Sequence, residues 1–291
     1  YSLKVYLNFA NQFLFGIMIN ILQQIQESLQ YGFIQRAIIA GCFMSLGCSF
    51  LGVFLVLKRF SLIGDGLAHV SFATVALGLL LHAQPIIVSI PLVGIASLVI
   101  LKLNERSQVY GDAAIGLVSS FGIAMGVIIA STAGGFNVDL FSYLFGNILS
   151  VSSFEVWLTV AISLLVAMVV ALFYHDLFAI TFDEEYAQVL GIKVRLVNRM
   201  LILLTSFIVV LGIKIIGTML VSSLIILPAI TALQITRSFR STIALAGIFA
   251  PVSVILGIFA SYILNLPSGA TIVMVNFLFF LVLFFYRRAR G

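Results

Sequence analysis

Residues 51–81 read LGVFLVLKRFSLIGDGLAHVSFATVALGLLL, two apolar runs separated by the basic pair Lys58 and Arg59. Together with the apolar residues around them, both runs are long enough to cross a hydrocarbon core of roughly 30 Å as α-helices. The second run carries two ionisable residues, Asp65 and His69, in an otherwise almost wholly apolar segment. The stretch therefore predicts a helical hairpin in a membrane, with one polar pair in its second helix.

The whole chain has the composition of a polytopic membrane protein. Of its 291 residues, 62% are hydrophobic and 9% are charged, and the mean hydropathy is +1.24, far outside the range of soluble domains. In lipid, only helices and closed barrels satisfy every backbone polar group. The short, strictly alternating segments that are typical of barrel strands are absent from the sequence. The predicted fold class is therefore an all-α transmembrane helical bundle.

We predict about nine membrane crossings, each bounded by charge, glycine, proline or a polar turn. They are residues 33–57, 62–82, 84–102, 112–132, 155–174, 196–212, 214–235, 241–264 and 268–286. Residues 32–291 thus form one transmembrane domain. The preceding segment, residues 1–31, is apolar only from Phe9 to Leu22. It is predicted to be an interfacial amphipathic helix or an extra crossing, with a signal peptide as a third alternative.

The basic residues between the crossings predict the orientation of the chain. They fall on one side of the nine-crossing arrangement: Lys58, Arg59, Lys102, Arg106, Lys193, Arg195, Arg199, Arg237, Arg240, Arg287, Arg288 and Arg290. By the positive-inside rule that side is cytoplasmic, and the C-terminus lies there too. Among the loops between the crossings Lys214 is the exception, and its long side chain can reach the outer interface. The net charge of +5 therefore reflects orientation and requires no nucleic-acid partner.

Asp65 and His69 form the candidate site, because residues four apart on a helix project from one face. A carboxylate at mid-helix costs roughly 2.5–3.5 kcal/mol on insertion scales, so such groups usually face a bundle interior or a watery path. Counted from Arg59, the two residues lie about 9 and 15 Å along the helix, towards the bilayer midplane. A carboxylate and an imidazole suit zinc or another divalent transition metal. The alternatives are an ion pair that ties helices together and a proton relay.

A second candidate element lies in the longest predicted cytoplasmic loop, at residues 182–192. Asp183, Glu184 and Glu185 precede Tyr186, and Gly191 ends the run. Acidic residues in a first turn and glycine after a last turn predict a short capped helix. Such a helix would offer an apolar stripe to a partner, and the alternative is a solvated turn.

Pro228 lies inside the seventh predicted crossing. Proline removes a backbone donor and clashes with the preceding turn, so we predict a kink there. In the same crossing, Ser222 and Ser223 are candidates to satisfy freed backbone groups or to line a path.

Two motifs of common enzymes are missing from the sequence. It contains no G-x-x-x-x-G-K-[ST] phosphate loop, so we expect that the chain does not bind and hydrolyse ATP by itself. It contains no H-E-x-x-H either, which argues against a zinc protease in the membrane. We therefore expect that the chain is not an enzyme.

The segment SLIGDGLAHVSFATVALG (61–78) resembles the signature of the membrane subunits of ATP-driven zinc and manganese importers, the metal-uptake family of ABC permeases. The similarity continues through DAAIGLVSSFGIAMGV (112–127), VDLFSYLFGNILSV (138–151), FDEEYAQVLGI (182–192) and IKIIGTMLVSSLIILPAITAL (213–233). The resemblance implies a bundle like that of type II ABC importers, with Asp65 and His69 in the translocation path. It also implies that residues 182–192 form the coupling helix that docks on an ATPase subunit. The family's usual serine before the histidine is Ala68 here.

The resemblance further implies a permease in the lipid of the bacterial cytoplasmic membrane, working with a second copy of itself, ABC ATPase subunits and an extracytoplasmic metal-binding protein. The metal would pass between the two copies by alternating access, with no permanently bound cofactor. We expect zinc ahead of manganese or iron, because residues 69–71 and the stretch VDLFSYLFG look more like the zinc branch, and zinc binds nitrogen and oxygen donors more tightly. The competing hypothesis is a stand-alone secondary transporter or channel that uses Asp65 and His69 for protons or cations.

Overall fold

The computed structural model describes residues 23, 25–106, 111–132 and 151–290, and the regular structure within these ranges is helical. Eleven helices, numbered here in chain order, are bounded as follows: α1 Gly32–Leu57, α2 Ile63–Leu80, α3 Pro85–Arg106, α4 Gly111–Thr132, α5 Ser153–Leu172, α6 Tyr174–Phe182, α7 Glu184–Val189, α8 Val194–Ile216, α9 Thr218–Ile235, α10 Phe239–Leu264 and α11 Ser268–Arg290. Most of the N-terminal segment 1–31 lies outside the described residues, so the prediction for it stays a prediction.

Nine of the described helices are long and apolar enough to cross a membrane, namely α1 to α5 and α8 to α11. They coincide with the nine crossings predicted from the sequence. The two remaining helices, α6 and α7, are short and lie between the fifth and sixth crossings. The sequence therefore predicts the number and order of the crossings correctly for the described part of the chain.

The break between the sixth and seventh crossings lies a few residues later than predicted. Only Gly217 separates α8 from α9, with φ 86° and ψ 164°, a conformation that is essentially confined to glycine. Lys214 consequently belongs to the last turn of α8, and its ammonium contacts the carboxylate of Glu155 at the start of α5. The same glutamate closes a capping box with Ser152. This ion pair therefore joins α5 to α8 on the side opposite the basic segments.

Helix α1 lies at the centre of the bundle, where it packs against α5, α8, α9 and α10. Met44, Leu51 and Phe54 are each at most 1% exposed. The approach to α9 is especially close, because a Cβ atom added to Gly52 would lie 2.0 Å from the carbonyl oxygen of Ile225. Small residues permit such backbone contacts between membrane helices. Glycine at position 52 therefore sets the distance between α1 and α9.

Helix α2 is held by α3, α4, α8 and α9. Its Thr74 hydroxyl donates a 2.8 Å hydrogen bond to the hydroxyl of Ser89 in α3. On α4, an added Cβ at Gly122 would lie 2.9 Å from the Val70 backbone, and one at Gly126 would lie 2.5 Å from the Phe72 ring. The two glycines of α4 therefore let this helix pack closely against the side of α2 that carries Val70 and Phe72.

Helix α9 runs through Pro228 without interruption. Helices α3 and α10 likewise contain Pro91 and Pro251 inside continuous helices. The proline at 228 therefore does not end the helix, and the predicted kink stays a prediction.

Candidate functional site

Asp65 lies in the first turn of α2, because the helix begins at Ile63. A carboxylate is stabilised there by the partial positive charge of the helix N-terminus. Counted from Ile63, Asp65 lies about 3 Å and His69 about 9 Å along the axis. The pair is therefore closer to the basic side than predicted, since residues 58–62 form a turn that the sequence count had treated as helix.

The two side chains project from one face of α2, as their spacing predicts. His69 Nε2 lies 3.6 Å from Asp65 Oδ2, and the side chains are 31% and 54% exposed. This distance is longer than an ordinary N–H···O hydrogen bond. Within the described part of the chain, no side chain of another helix forms a hydrogen bond or ion pair with Asp65 or His69. No contact therefore supports the alternative in which the pair ties two helices together. The carboxylate and the imidazole are both available to a ligand.

Two glycines explain why this face is uncovered. A Cβ added to Gly64 would lie 2.8 Å from the Ile225 side chain of α9, and one added to Gly66 would lie 2.6 Å from Ile115 of α4. Successive helix residues are rotated by about 100°, so Asp65 and His69 point between these two contacts. The pair therefore lies in an open seam between α9 and α4.

Ser222 of α9 lies close to the start of this seam. A Cβ added to Gly64 would be 3.8 Å from its hydroxyl oxygen. Within the described residues, the hydroxyls of Ser222 and Ser223 are buried without a hydrogen-bond partner, although most buried polar groups have one. No hydrogen bond supports the predicted role of these serines in satisfying backbone groups next to Pro228.

The described part of one chain offers an incomplete metal site. No group of three or more histidine, cysteine, aspartate or glutamate residues in the described ranges is placed to hold a metal ion. Transition metals in proteins usually take four or more donors. If Asp65 and His69 hold a metal, the remaining donors must come from water, from oxygen atoms of the backbone or hydroxyls, or from another chain.

The short helix α7 agrees with the capped helix predicted from the sequence. The carboxylate of Asp183 accepts a 2.9 Å hydrogen bond from the backbone N–H of Tyr186, and Gly191 follows the helix with φ 82°. Tyr186, Val189 and Leu190 are 60%, 84% and 57% exposed. The apolar stripe is therefore uncovered in the single chain, and its predicted contact with a partner stays a prediction.

Sequence reasoning missed one polar cluster beside α7. The ammonium of Lys58, at the end of α1, donates to the backbone oxygen of Ile180 at 3.1 Å and to Oδ1 of Asn198 at 2.8 Å, and it contacts the carboxylate of Glu184. We call these four groups the Lys58 cluster. The acceptors lie 122 to 140 residues from Lys58 in the chain, so no local pattern could have revealed the cluster.

Comparisons with known proteins extend over almost the whole chain. The family model described as ABC 3 transport family matches residues 30–287. The manganese transport system membrane protein MntC of Listeria innocua is 35% identical over 263 residues, which are 90% of this chain and 94% of that protein. The manganese import system permease protein ScaB of Streptococcus gordonii is 33% identical over 265 residues, covering 90% of this chain and 95% of that protein.

A solved structure also resembles this chain over almost its whole length. The structure described as PsaBC from Streptococcus pneumoniae in complex with Fab superposes with a TM-score of 0.80 at 30% identity, covering 91% of this chain and 95% of that one. Such a likeness, added to nine helices in the described ranges that are long and apolar enough to cross a membrane, places the chain among multi-pass permeases of the cell membrane. It belongs to the ABC 3 transport family, the membrane permeases of ABC-type zinc and manganese transporters. The fold class expected from the sequence is confirmed.

Proposed function

We propose that the chain is the permease subunit of an ATP-driven importer that carries manganese across the cytoplasmic membrane. Both relatives described above are manganese transport proteins by name. The expectation of zinc has no support from these relatives, and its alternative, manganese, fits them better. The observation that carries the proposal is the exposed Asp65 and His69 pair in an otherwise apolar helix.

The chemistry of the seam suits manganese. Carboxylate, hydroxyl and water oxygens are donors that manganese accepts readily, whereas a closed set of sulfur and nitrogen donors favours zinc. The Asp65 side chain is 54% exposed, which leaves room for water oxygens beside the carboxylate. We therefore assign the metal path to an oxygen-rich site with one imidazole per chain.

A second copy of the chain supplies the missing half of this site. An exposed carboxylate facing lipid is costly, so the seam between α9 and α4 needs protein or water against it. Two copies facing each other across the seam bring two aspartates and two histidines together. This arrangement supports transport of the metal between the copies.

The energy comes from separate ATPase subunits, because the sequence lacks a phosphate loop. Their docking site is the segment 182–192, where Asp183, Glu184 and Glu185 begin the short helix and Gly191 follows it. Tyr186 belongs to its exposed apolar stripe. ATP binding moves this segment and exchanges outward-open and inward-open arrangements of the bundle.

The orientation of the chain in the membrane assigns a side to each remaining part of the importer. The basic side and the C-terminus lie in the cytoplasm by the positive-inside rule. An extracytoplasmic metal-binding protein delivers manganese on the other side. The metal must be held weakly enough at this site to leave again, as conduction requires.

Uptake into vesicles tests the proposal. The permease, its ATPase and its metal-binding protein are reconstituted, and entry of radioactive manganese and zinc is followed with and without ATP. We expect manganese uptake that requires ATP and exceeds zinc uptake. Uptake by the permease alone, driven by a proton gradient, would contradict the proposal and support a secondary transporter. A clear preference for zinc would overturn the choice of metal and leave the ATP-driven importer standing.

A further inference from the structure

The Lys58 cluster connects the short helix α7 to the hairpin of α1 and α2, which carries Asp65 and His69. An ammonium group has three donors, and all three of Lys58 are used. They reach the backbone oxygen of Ile180, the carboxylate of Glu184 and the amide oxygen of Asn198. The partners belong to α6, α7 and α8, so one side chain joins three helices to the end of α1.

Two of the partners of Lys58 are also bonded to each other. The Asn198 amide donates a 3.1 Å hydrogen bond to the same Glu184 oxygen that Lys58 contacts. Ile180 lies in the last turn of α6, where backbone oxygens lack intrahelical donors and a cation is favoured by the helix dipole. The contact of Lys58 with Ile180 therefore satisfies a backbone oxygen at the end of α6, and its contacts with Glu184 and Asn198 form a closed triangle of polar groups.

Burial makes the cluster sensitive to movement of α7. The Lys58 side chain is 7% exposed and Asn198 is 5% exposed. A buried ammonium is stable only while its partners stay in place. When α7 moves, the end of α1 must move with it, or the ammonium loses its countercharge.

The link from Lys58 to the metal pair is short. Lys58 ends α1, and residues 59–62 form the turn that leads directly into α2. This turn is tight, with hydrogen bonds from the backbone N–H of Arg59 to Val56 at 3.1 Å and from that of Phe60 to Leu55 at 2.8 Å. Displacement of Lys58 is therefore transmitted to the first turn of α2, which carries Asp65.

We infer that Lys58 and Glu184 are positioning residues that couple movement of α7 to movement of the Asp65 and His69 pair. The inference rests on the proposed function, because it takes α7 as the segment on which the ATPase acts. Neither residue needs to touch the metal. Their effect is on the number of metal ions carried per ATP hydrolysed.

The test compares two lysine substitutions in the reconstituted complex of permease, ATPase and metal-binding protein. Lys58→Met removes the cation at α7. Lys214→Met is the matched control, because Lys214 also contacts one glutamate, Glu155, but joins α5 to α8 away from α7. Manganese uptake and ATP hydrolysis are measured in the same vesicles, together with the amount of bound ATPase and the thermal midpoint. Because Glu184 is 47% exposed, water can solvate it after the lysine is removed, and the Lys58→Met chain is expected to fold.

We expect the ratio of manganese carried to ATP hydrolysed to fall about ten-fold in Lys58→Met, a typical size for coupling between two sites. Lys214→Met should keep the wild-type ratio of manganese carried to ATP hydrolysed. Equal ratios in the two variants would overturn the inference, because a merely structural role predicts that outcome.

A second variant covers the case in which Lys58→Met does not assemble. Glu184→Gln keeps an oxygen acceptor for Lys58 and Asn198 and removes only the charge, so we expect a smaller loss of the same ratio. A wild-type ratio in Glu184→Gln, with Lys58→Met unassembled, would count against the inference. The proposed function fails separately, because it fails when the wild-type complex shows no ATP-dependent manganese uptake.

Discussion

Lys58 and the Asp65–His69 pair lie only a few residues apart in the chain, yet they differ in how their polar groups are satisfied. Lys58 is 7% exposed and uses all of its donors within the chain. Asp65 and His69 are 54% and 31% exposed and lie 3.6 Å apart. In the described part of the chain they have no bond to another helix. One region is complete within a single chain, and the other needs a ligand or a partner.

This difference indicates what each region does. Polar groups in a membrane protein are expensive unless they are paired or face water. The Lys58 ammonium has every donor paired and can transmit displacement between helices. The open pair is tolerated only where metal, water or a second copy reaches it.

The largest expected effect is on the open pair. Asp65→Ala or His69→Ala removes half of the strong donors that each chain contributes, so ATP-dependent manganese uptake should fall by about 100-fold, comparable to the larger losses seen around metal sites. Uptake by vesicles measures this. His175→Ala, which removes an exposed imidazole from α6, is the matched control and should transport normally. Wild-type uptake by either variant of the pair would refute its place in the path.

The next effect concerns the packing that supports both regions. In Gly52→Ala the new methyl group would lie 2.0 Å from the backbone oxygen of Ile225, which cannot move without shifting α9. We expect a loss of about 1–3 kcal/mol or more, as for other overpacked sites, seen as a lower thermal midpoint of the purified protein.

The control for Gly52→Ala is Gly116→Ala, where an added methyl group meets nothing within 4 Å. Alanine is the better helix former, so the thermal midpoint should stay the same or rise. Equal decreases of the thermal midpoint in the two variants would show that α1 and α9 do not approach each other closely at Gly52.

A smaller effect separates charge from hydrogen bonding in the Lys58 cluster. Glu184→Ala removes the countercharge and one acceptor from a buried ammonium, which should destabilise the protein by about 1–2 kcal/mol. Glu184→Gln retains an acceptor and should cost less. The thermal midpoints of the two variants measure the difference, and the reverse order would show that the cluster is not saturated as described.

The smallest effect is expected at the ion pair between Lys214 and Glu155. The Lys214 side chain is 50% exposed, and exposed ion pairs contribute about 0–1 kcal/mol. Lys214→Met should therefore lower the thermal midpoint only slightly and leave transport unchanged. A loss of stability as large as that of Glu184→Ala would remove the distinction between buried and exposed pairs.

Much of the fold could be predicted from the sequence because its signals are local. Runs of apolar residues predict nine crossings, and acidic residues followed by Gly191 predict the short helix α7. The spacing of Asp65 and His69 places them on one face. The exact break at Gly217 was missed, because an apolar run on both sides hides a single residue with unusual backbone angles.

The parts that could not be predicted depend on distant contacts. The Lys58 cluster joins residues 122 to 140 positions apart, and the seam depends on how Gly64 and Gly66 contact different helices. The depth of Asp65 was overestimated because the turn at 58–62 was counted as helix. The preference for zinc failed to gain support because a carboxylate and an imidazole bind both metals.

The most direct test of the metal path is the electron spin echo signal of manganese bound to the purified complex. If His69 binds the ion, the spectrum should contain modulation from an imidazole nitrogen. This modulation should disappear in His69→Ala and persist in His175→Ala. The same nitrogen modulation in His69→Ala would contradict the account, because another residue would then hold the metal.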